Sequence, residues 1–102
     1  MAPDIYIYAK TSLGRGRDEL EDDLEDFLGE VGEVTGGGSG LPGWNVDLTL
    51  VDDADLESWV VKLVLFLRQW GVPQDTYVRV FPSDWVEGTE GKRVDIFQIN
   101  PQ

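Results

Sequence analysis

Hydrophobic residues change their spacing several times along this chain, and each change marks an element. Ile5, Ile7 and Ala9 alternate with Tyr6, Tyr8 and Lys10, the two-residue period of a half-buried strand. From Leu20 the period lengthens. Leu20, Leu24, Phe27, Leu28 and Val31 fall on one stripe of a helix. Asp18 is the expected N-cap, Glu21 completes a capping-box pattern, and Gly29 and Gly32 mark the helix end. Glu33–Thr35 reads as a short strand. GGGSGLPG (36–43) reads as a flexible loop without regular structure. Trp44–Val51 alternates again, with Val46, Leu48 and Leu50 on one side and Asn45, Asp47 and Thr49 on the other. A second helix is expected from about Asp53 to Trp70, stopped by Gly71 and then Pro73. Thr76–Phe81 and Arg93–Ile99 are two further strands, joined by a polar, Gly-containing connection that carries Trp85.

This order, β-α-β-β-α-β-β, predicts an α+β fold in one domain spanning 1–102. Each helix has an apolar stripe to bury, so the two helices should pack on one face of an antiparallel sheet. The βαββαβ portion matches a ferredoxin-like split βαβ arrangement, and the last strand would extend it. The strands flanking the glycine stretch are expected to pair as a hairpin, and so are the last two.

Charge narrows the picture. Among 102 residues, Asp plus Glu number 20 and Lys plus Arg 8, a formal net charge of -12. Such a chain repels nucleic acid, whose affinity comes mainly from cations on phosphates. It attracts basic proteins at long range. The chain holds no Cys and no His. Disulfides, thiolate nucleophiles and Ser–His or Cys–His systems are thereby excluded, along with the commonest metal ligand. No apolar run reaches membrane-spanning length, and MAPDIYIYAK lacks the basic start of a signal peptide, so a cytosolic location is the expectation.

Candidate catalytic chemistry is sparse. KTSLGRGR (10–17) joins a strand to a helix N-terminus and concentrates Lys10, Arg15 and Arg17, but it is neither a P-loop nor GxGxxG. Its cations are better read as neutralising the acidic helix that follows. The expected fold invites comparison with acylphosphatases, which use an Arg in a glycine loop after the first strand and an Asn on a later strand. Arg15 and Asn45 are the formal counterparts, but the characteristic loop sequence is absent, so the activity is not carried over. Asp52, Asp53 and Asp55 do not have the spacing of an EF-hand, and Asp53 reads as a helix cap. The expectation is a protein that is not an enzyme, with no cofactor and no metal.

The polar residues of RDELEDDLEDFLGE (17–30) are acidic apart from Arg17, and like charges recur at i,i+4. This face either serves solubility or docks a basic partner. On the sheet, Tyr6, Tyr8, Asp47, Thr49, Tyr77, Arg79, Phe81, Arg93, Asp95 and Phe97 are expected on or near the face without helices, an aromatic and charged surface suited to contact. Val61 and Leu65 fall outside the apolar arc of the second helix, either as scattered exposed aliphatics or as a small contact site. Trp44 suits a core anchor or a contact residue equally.

In size, charge and the character of RDELEDDLEDFLGE and GEVTGGGSGLPGWNVDLTL, the chain resembles the immunity proteins of bacterial toxin–immunity pairs. The resemblance implies a stoichiometric, non-catalytic inhibitor of a basic toxin such as a nuclease. Asp18, Glu19, Asp22, Asp23, Glu25 and Asp26 would steer the encounter, and Tyr6, Tyr8, Trp44 and Asp47 would make contact. The alternatives are a nucleic-acid mimic that occupies a DNA- or RNA-binding protein, and a small anion-binding enzyme of acylphosphatase-like fold.

Overall fold

The computed structural model describes residues 3–13, 16–39, 43–82 and 91–97. The elements are β1 (Asp4–Ala9), α1 (Arg17–Leu28), β2 (Gly32–Ser39), β3 (Trp44–Leu50), α2 (Leu56–Trp70), β4 (Tyr77–Phe81) and β5 (Lys92–Asp95). They form an α+β fold with a five-stranded sheet in the order β2-β3-β1-β4-β5, every neighbouring pair antiparallel. Both expected hairpin partnerships, β2 with β3 and β4 with β5, are present. β1 and β2 are not neighbours, because β3 lies between them.

Alternation in the strands sorts side chains by face. Ile5, Ile7, Ala9, Val46, Leu48, Leu50, Val78 and Val80 are buried against Leu20, Leu24 and Leu28 of α1 and Leu63 and Leu67 of α2. Both helices therefore cover the same sheet face. They also meet each other: Phe27 stacks on Phe66 at 4.6 Å between centroids and meets Trp59 edge-on at 5.5 Å. The Trp70 indole N–H donates to Asp23 Oδ2 at 2.8 Å. Arg68 Nε donates to Ile96 O at 2.6 Å, tying α2 to the end of β5.

Several details differ from the sequence expectation. α1 starts at Arg17 after Gly16, with no side-chain cap, so Asp18 already lies in the first turn and the Asp18–Glu21 capping box does not form. Glu21 instead accepts from Arg17 Nε at 2.8 Å. α2 starts later than expected: Asp55, not Asp53, is its N-cap and accepts from Ser58 N–H at 3.3 Å. Phe97 lies past the end of β5, where alternation has stopped, and packs against the core.

The largest difference is at the glycines. Gly36, Gly37 and Gly38 are strand, paired with Asp47, Val46 and Asn45, after a bulge between Val34 and Gly36. A glycine run loses much backbone entropy on ordering. The ladder to β3 offsets that loss, and α1 closes over the run. A Cβ on Gly37 would stand 2.9 Å from Asn45 O and 3.2 Å from Glu21 Oε2, so the Arg17–Glu21 pair occupies the space a side chain would take. At the other end of the fold, Gly71 ends α2 as expected, with φ 95° in the left-handed region and its N–H on Leu67 O. The tip of the glycine stretch (40–42), Arg15, Trp85 and the C-terminal end of the last expected strand lie outside the described residues.

Candidate functional site

The residues singled out from sequence do not form one site. They fall on two opposed surfaces, separated by the sheet, and one of them is in the core.

The first surface is the outer side of α1. Burial of Leu20, Leu24 and Leu28 turns Asp18, Asp22 and Asp26, one row at four-residue spacing, directly outward. Glu19 stands beside that row and is exposed too. The flanks are engaged with the rest of the fold. On the β2 side, Glu21 holds Arg17, and Glu25 Oε1 accepts the Val34 backbone N–H at 2.9 Å. On the α2 side, Asp23 holds the Trp70 indole. Asp23 and Glu25, both expected as docking residues, thus fasten α1 to its neighbours. Among the described residues the Asp22 and Asp26 side chains make no hydrogen bond or ion pair. Asp18, in the first turn, suits the positive end of the helix dipole, but no basic residue stands in the last turn, so Asp26 meets the negative end uncompensated.

The second surface is the sheet face that carries neither helix. Tyr6 and Tyr8 of β1 sit at its middle. Tyr8 stacks on Tyr77 at 5.4 Å, Tyr6 tilts against Phe81 at 5.1 Å, and the two β1 rings meet edge-on at 6.3 Å. The Arg93 guanidinium lies 3.9 Å above the Tyr77 ring and pairs with Asp95 at 3.0 Å. Arg79 donates to Gly91 O at 3.1 Å. Acids and amides occupy the opposite side: Asn45 donates to Asp47 Oδ1 at 2.8 Å, and Thr49 donates to Asp4 Oδ1 at 2.6 Å. Burial foremost, and then the Asp47 charge, push the Tyr8 phenol above its ordinary pKa, with Arg79 opposing. Tyr8 thus stays a neutral donor across the physiological range.

Trp44 belongs to neither surface. It is 7% exposed, packs in the core, and its indole N–H donates to Thr11 O at 2.8 Å. The expected contact residue is a core anchor, because position 44 has the same parity in β3 as Val46 and Leu48. Its bond and two more hold the start of the loop after β1, where Asp75 Oδ2 accepts the N–H groups of Lys10 and Thr11 at 3.0 and 3.2 Å. Partial burial opposes the charge on Asp75, but those hydrogen bonds together outweigh it and hold the carboxyl below its usual range. Nothing in the local pattern around Asp75 signals this role, since its partners are far away in sequence.

Val61 and Leu65 are exposed on α2, at 60% and 51%. Lys62 Nζ lies over the Trp59 ring, 4.5 Å from its centroid. Among the described residues no group of three or more acidic side chains is arranged to hold a metal ion, and Asp55 is committed to its cap. Asn45 lies on the open face with Asp47, while its formal partner Arg15 is outside the described residues. No helix among the described residues is long and apolar enough to cross a membrane.

Comparison of the chain with protein-family models, with curated proteins and with solved structures found no match in any of the three.

Proposed function

We propose that this protein is a non-catalytic binding module of the immunity type, which docks a basic toxin through the outer face of α1 and blocks it. The observation that carries this reading is the Asp18–Asp22–Asp26 row. It is exposed, it repels itself at each four-residue step, and the fold makes no use of it, whereas Glu21, Asp23 and Glu25 each have an internal partner. Like charges at this spacing cost on the order of 0.2–0.5 kcal/mol each. A helix face kept at a stability cost suits steering toward a positive cleft, with association rates that fall as salt rises. The net charge of -12 adds to that long-range field.

The strand order β2-β3-β1-β4 supports the finer reading of the fold as a ferredoxin-like split βαβ arrangement extended at one edge by β5. An immunity role would set the protein in the bacterial cytoplasm, where it meets a toxin before export.

The test is a matched pair of baits, the wild-type protein and Asp18→Lys/Asp22→Lys/Asp26→Lys, used for affinity capture at low and high salt. The expected result is a basic protein retained only by the wild type and released by salt, whose activity falls in step with added wild-type protein at equimolar ratio. The same captured proteins on both baits, or an acidic partner, would exclude α1 as the docking face. The nucleic-acid-mimic reading is less well supported, because the internal engagement of Asp23 and Glu25 leaves one short outward row with Glu19 beside it rather than a double track of carboxylates.

A further inference from the structure

The open sheet face has a pattern that differs from α1. Its charges are mixed, and the strand registers arrange them in rows across the sheet. Tyr6 is flanked by Asp47 on β3 and Arg79 on β4, and the same row continues to Gly36 on β2 and Arg93 on β5. The next row runs Gly38, Asn45, Tyr8, Tyr77, Asp95. These two rows therefore have a bare glycine at the β2 end and a charged side chain at the β5 end, with a β1 tyrosine in the middle, whereas the row beside them runs Glu33, Thr49, Asp4, Phe81.

We propose that this face is a two-fold interface between two copies of the chain, with the symmetry axis running along β1 between the facing sheets. A two-fold rotation about that axis keeps each residue at its height along the strands and exchanges the β3 side with the β4 side. Asp47 of one copy then meets Arg79 of the other, and the reverse contact repeats on the far side of the axis, as an isologous interface requires. In the same operation Arg93 lies over Gly36 and Asp95 over Gly38, so a long side chain meets a strand position without one. An axis across the strands through the Tyr6 row would instead set Asp47 against Asp47 and Arg79 against Arg79, so pairing Asp47 with Arg79 requires the axis along β1.

Tyr6, Tyr8, Tyr77 and Phe81, already in mutual ring contact, form the apolar centre of this interface, with the charged residues around them. The acidic helices do not oppose it. They lie on the outer sides of the two sheets, roughly 30 Å apart given about 10 Å for each layer of packing. That is several times the Debye length of about 8 Å at physiological salt. Five strands at about 4.8 Å and five residues at about 3.4 Å span on the order of 400 Å² per copy. This is below the roughly 800 Å² per partner of a standard stable interface, so the dimer is weak and concentration-dependent. Each dimer would present two α1 faces outward, independent of the docking reading above.

Sedimentation equilibrium across a concentration series reaching about 0.5 mM tests the proposal. Wild-type protein should shift from 11.4 kDa toward twice that mass. Asp47→Arg and Arg79→Asp should each weaken self-association at least tenfold, because each puts like charges opposite one another in its own homodimer. An equimolar mixture of the two should recover association, since every 47–79 contact in the mixed pair joins a guanidinium of the first variant to a carboxylate of the second. Wild type that stays monomeric to about 0.5 mM overturns the proposal, as do single variants that dimerise like wild type or a mixture that recovers nothing. Should either variant fail to fold by circular dichroism, concentration-dependent amide shifts of the wild type decide the matter. They should cluster at residues 5–8, 45–49 and 77–81, and a cluster on α1 or α2 instead would overturn the proposal. Asp18→Lys/Asp22→Lys/Asp26→Lys should dimerise normally, which separates this interface from the docking face.

Discussion

α1 and α2 lie side by side on the same sheet face, and Phe27 stacks directly on Phe66, yet they are held in different ways. α2 has its start and stop written locally: the Asp55 carboxylate caps its first turn, Arg68 lies in its last turn, and Gly71 turns the chain left-handed. It is so apolar that Val61 and Leu65 remain exposed. α1 has no side-chain cap, no cation in its last turn, and acids on every outward position after Arg17. It stays helical because Leu20, Leu24 and Leu28 are buried and because Glu21, Asp23 and Glu25 hold Arg17, Trp70 and Val34. A helix without local support can still be well placed when its tertiary contacts are good, and its outward face is then open to selection for something other than stability.

Removing α1's tertiary hold should have the largest effect. Leu24→Ala should lower stability by about 2–5 kcal/mol in a urea melt, the range for deleting a buried leucine. Native-state hydrogen exchange on that variant should show α1 losing protection while α2 keeps most of its own. Equal loss across both helices would mean that they fold as one unit and that the contrast between them has no energetic content.

The next effect is about 1 kcal/mol. Asp55→Ala removes a cap that accepts the Ser58 N–H and should cost that much. Asp18→Ala, the matching change near the start of α1, should cost far less, since Asp18 serves as no cap and its favourable place in the first turn is offset by repulsion from Asp22. Similar losses at both positions, read from melts under the same conditions, would return α1 to the ordinary capped class.

Smaller still, Asp22→Lys should raise stability at low ionic strength by a few tenths of a kcal/mol, because it turns two like-charge i,i+4 contacts, to Asp18 and Asp26, into attractive ones. Added salt should shrink the gain. A loss of stability instead would show that Asp22 has a structural role in the fold.

The smallest effect concerns pH. Asp75 has a folded-state pKa below its unfolded value, so its contribution is present above the unfolded value and is lost as pH falls through the folded one. The difference in stability between wild type and Asp75→Asn should therefore narrow on acidification. A gap that is constant with pH would show that Asp75 holds the Lys10 and Thr11 N–H groups as well when neutral.

Much of this was legible in the chain. The period-two runs in β1, β3 and β4 located their strands within a residue or two, and the Gly71–Pro73 stop located the end of α2. The helix starts were less legible, because several acids precede each apolar stripe and any of them satisfies a capping rule on paper. Only backbone geometry decides that Asp55 caps and that Asp18 and Asp53 do not. The glycine run was the clearest miss. Local propensity says loop, and a neighbouring strand of matching length overrode it.

What the sequence determined by itself was pattern: which residues alternate, which follow the helical period, and that the charge is strongly negative. Those properties depend on neighbours within a few positions, where covalent geometry alone sets the relation between side chains. Tertiary structure decided everything that depends on distant partners. It put Trp44 in the core, engaged Asp23 and Glu25, set the Asp18–Asp22–Asp26 row facing outward, and placed that row and the Tyr6–Tyr8 face on opposite sides of the molecule. These relations come from the order and register of strands, and the chain joins the strands without stating who will stand beside whom.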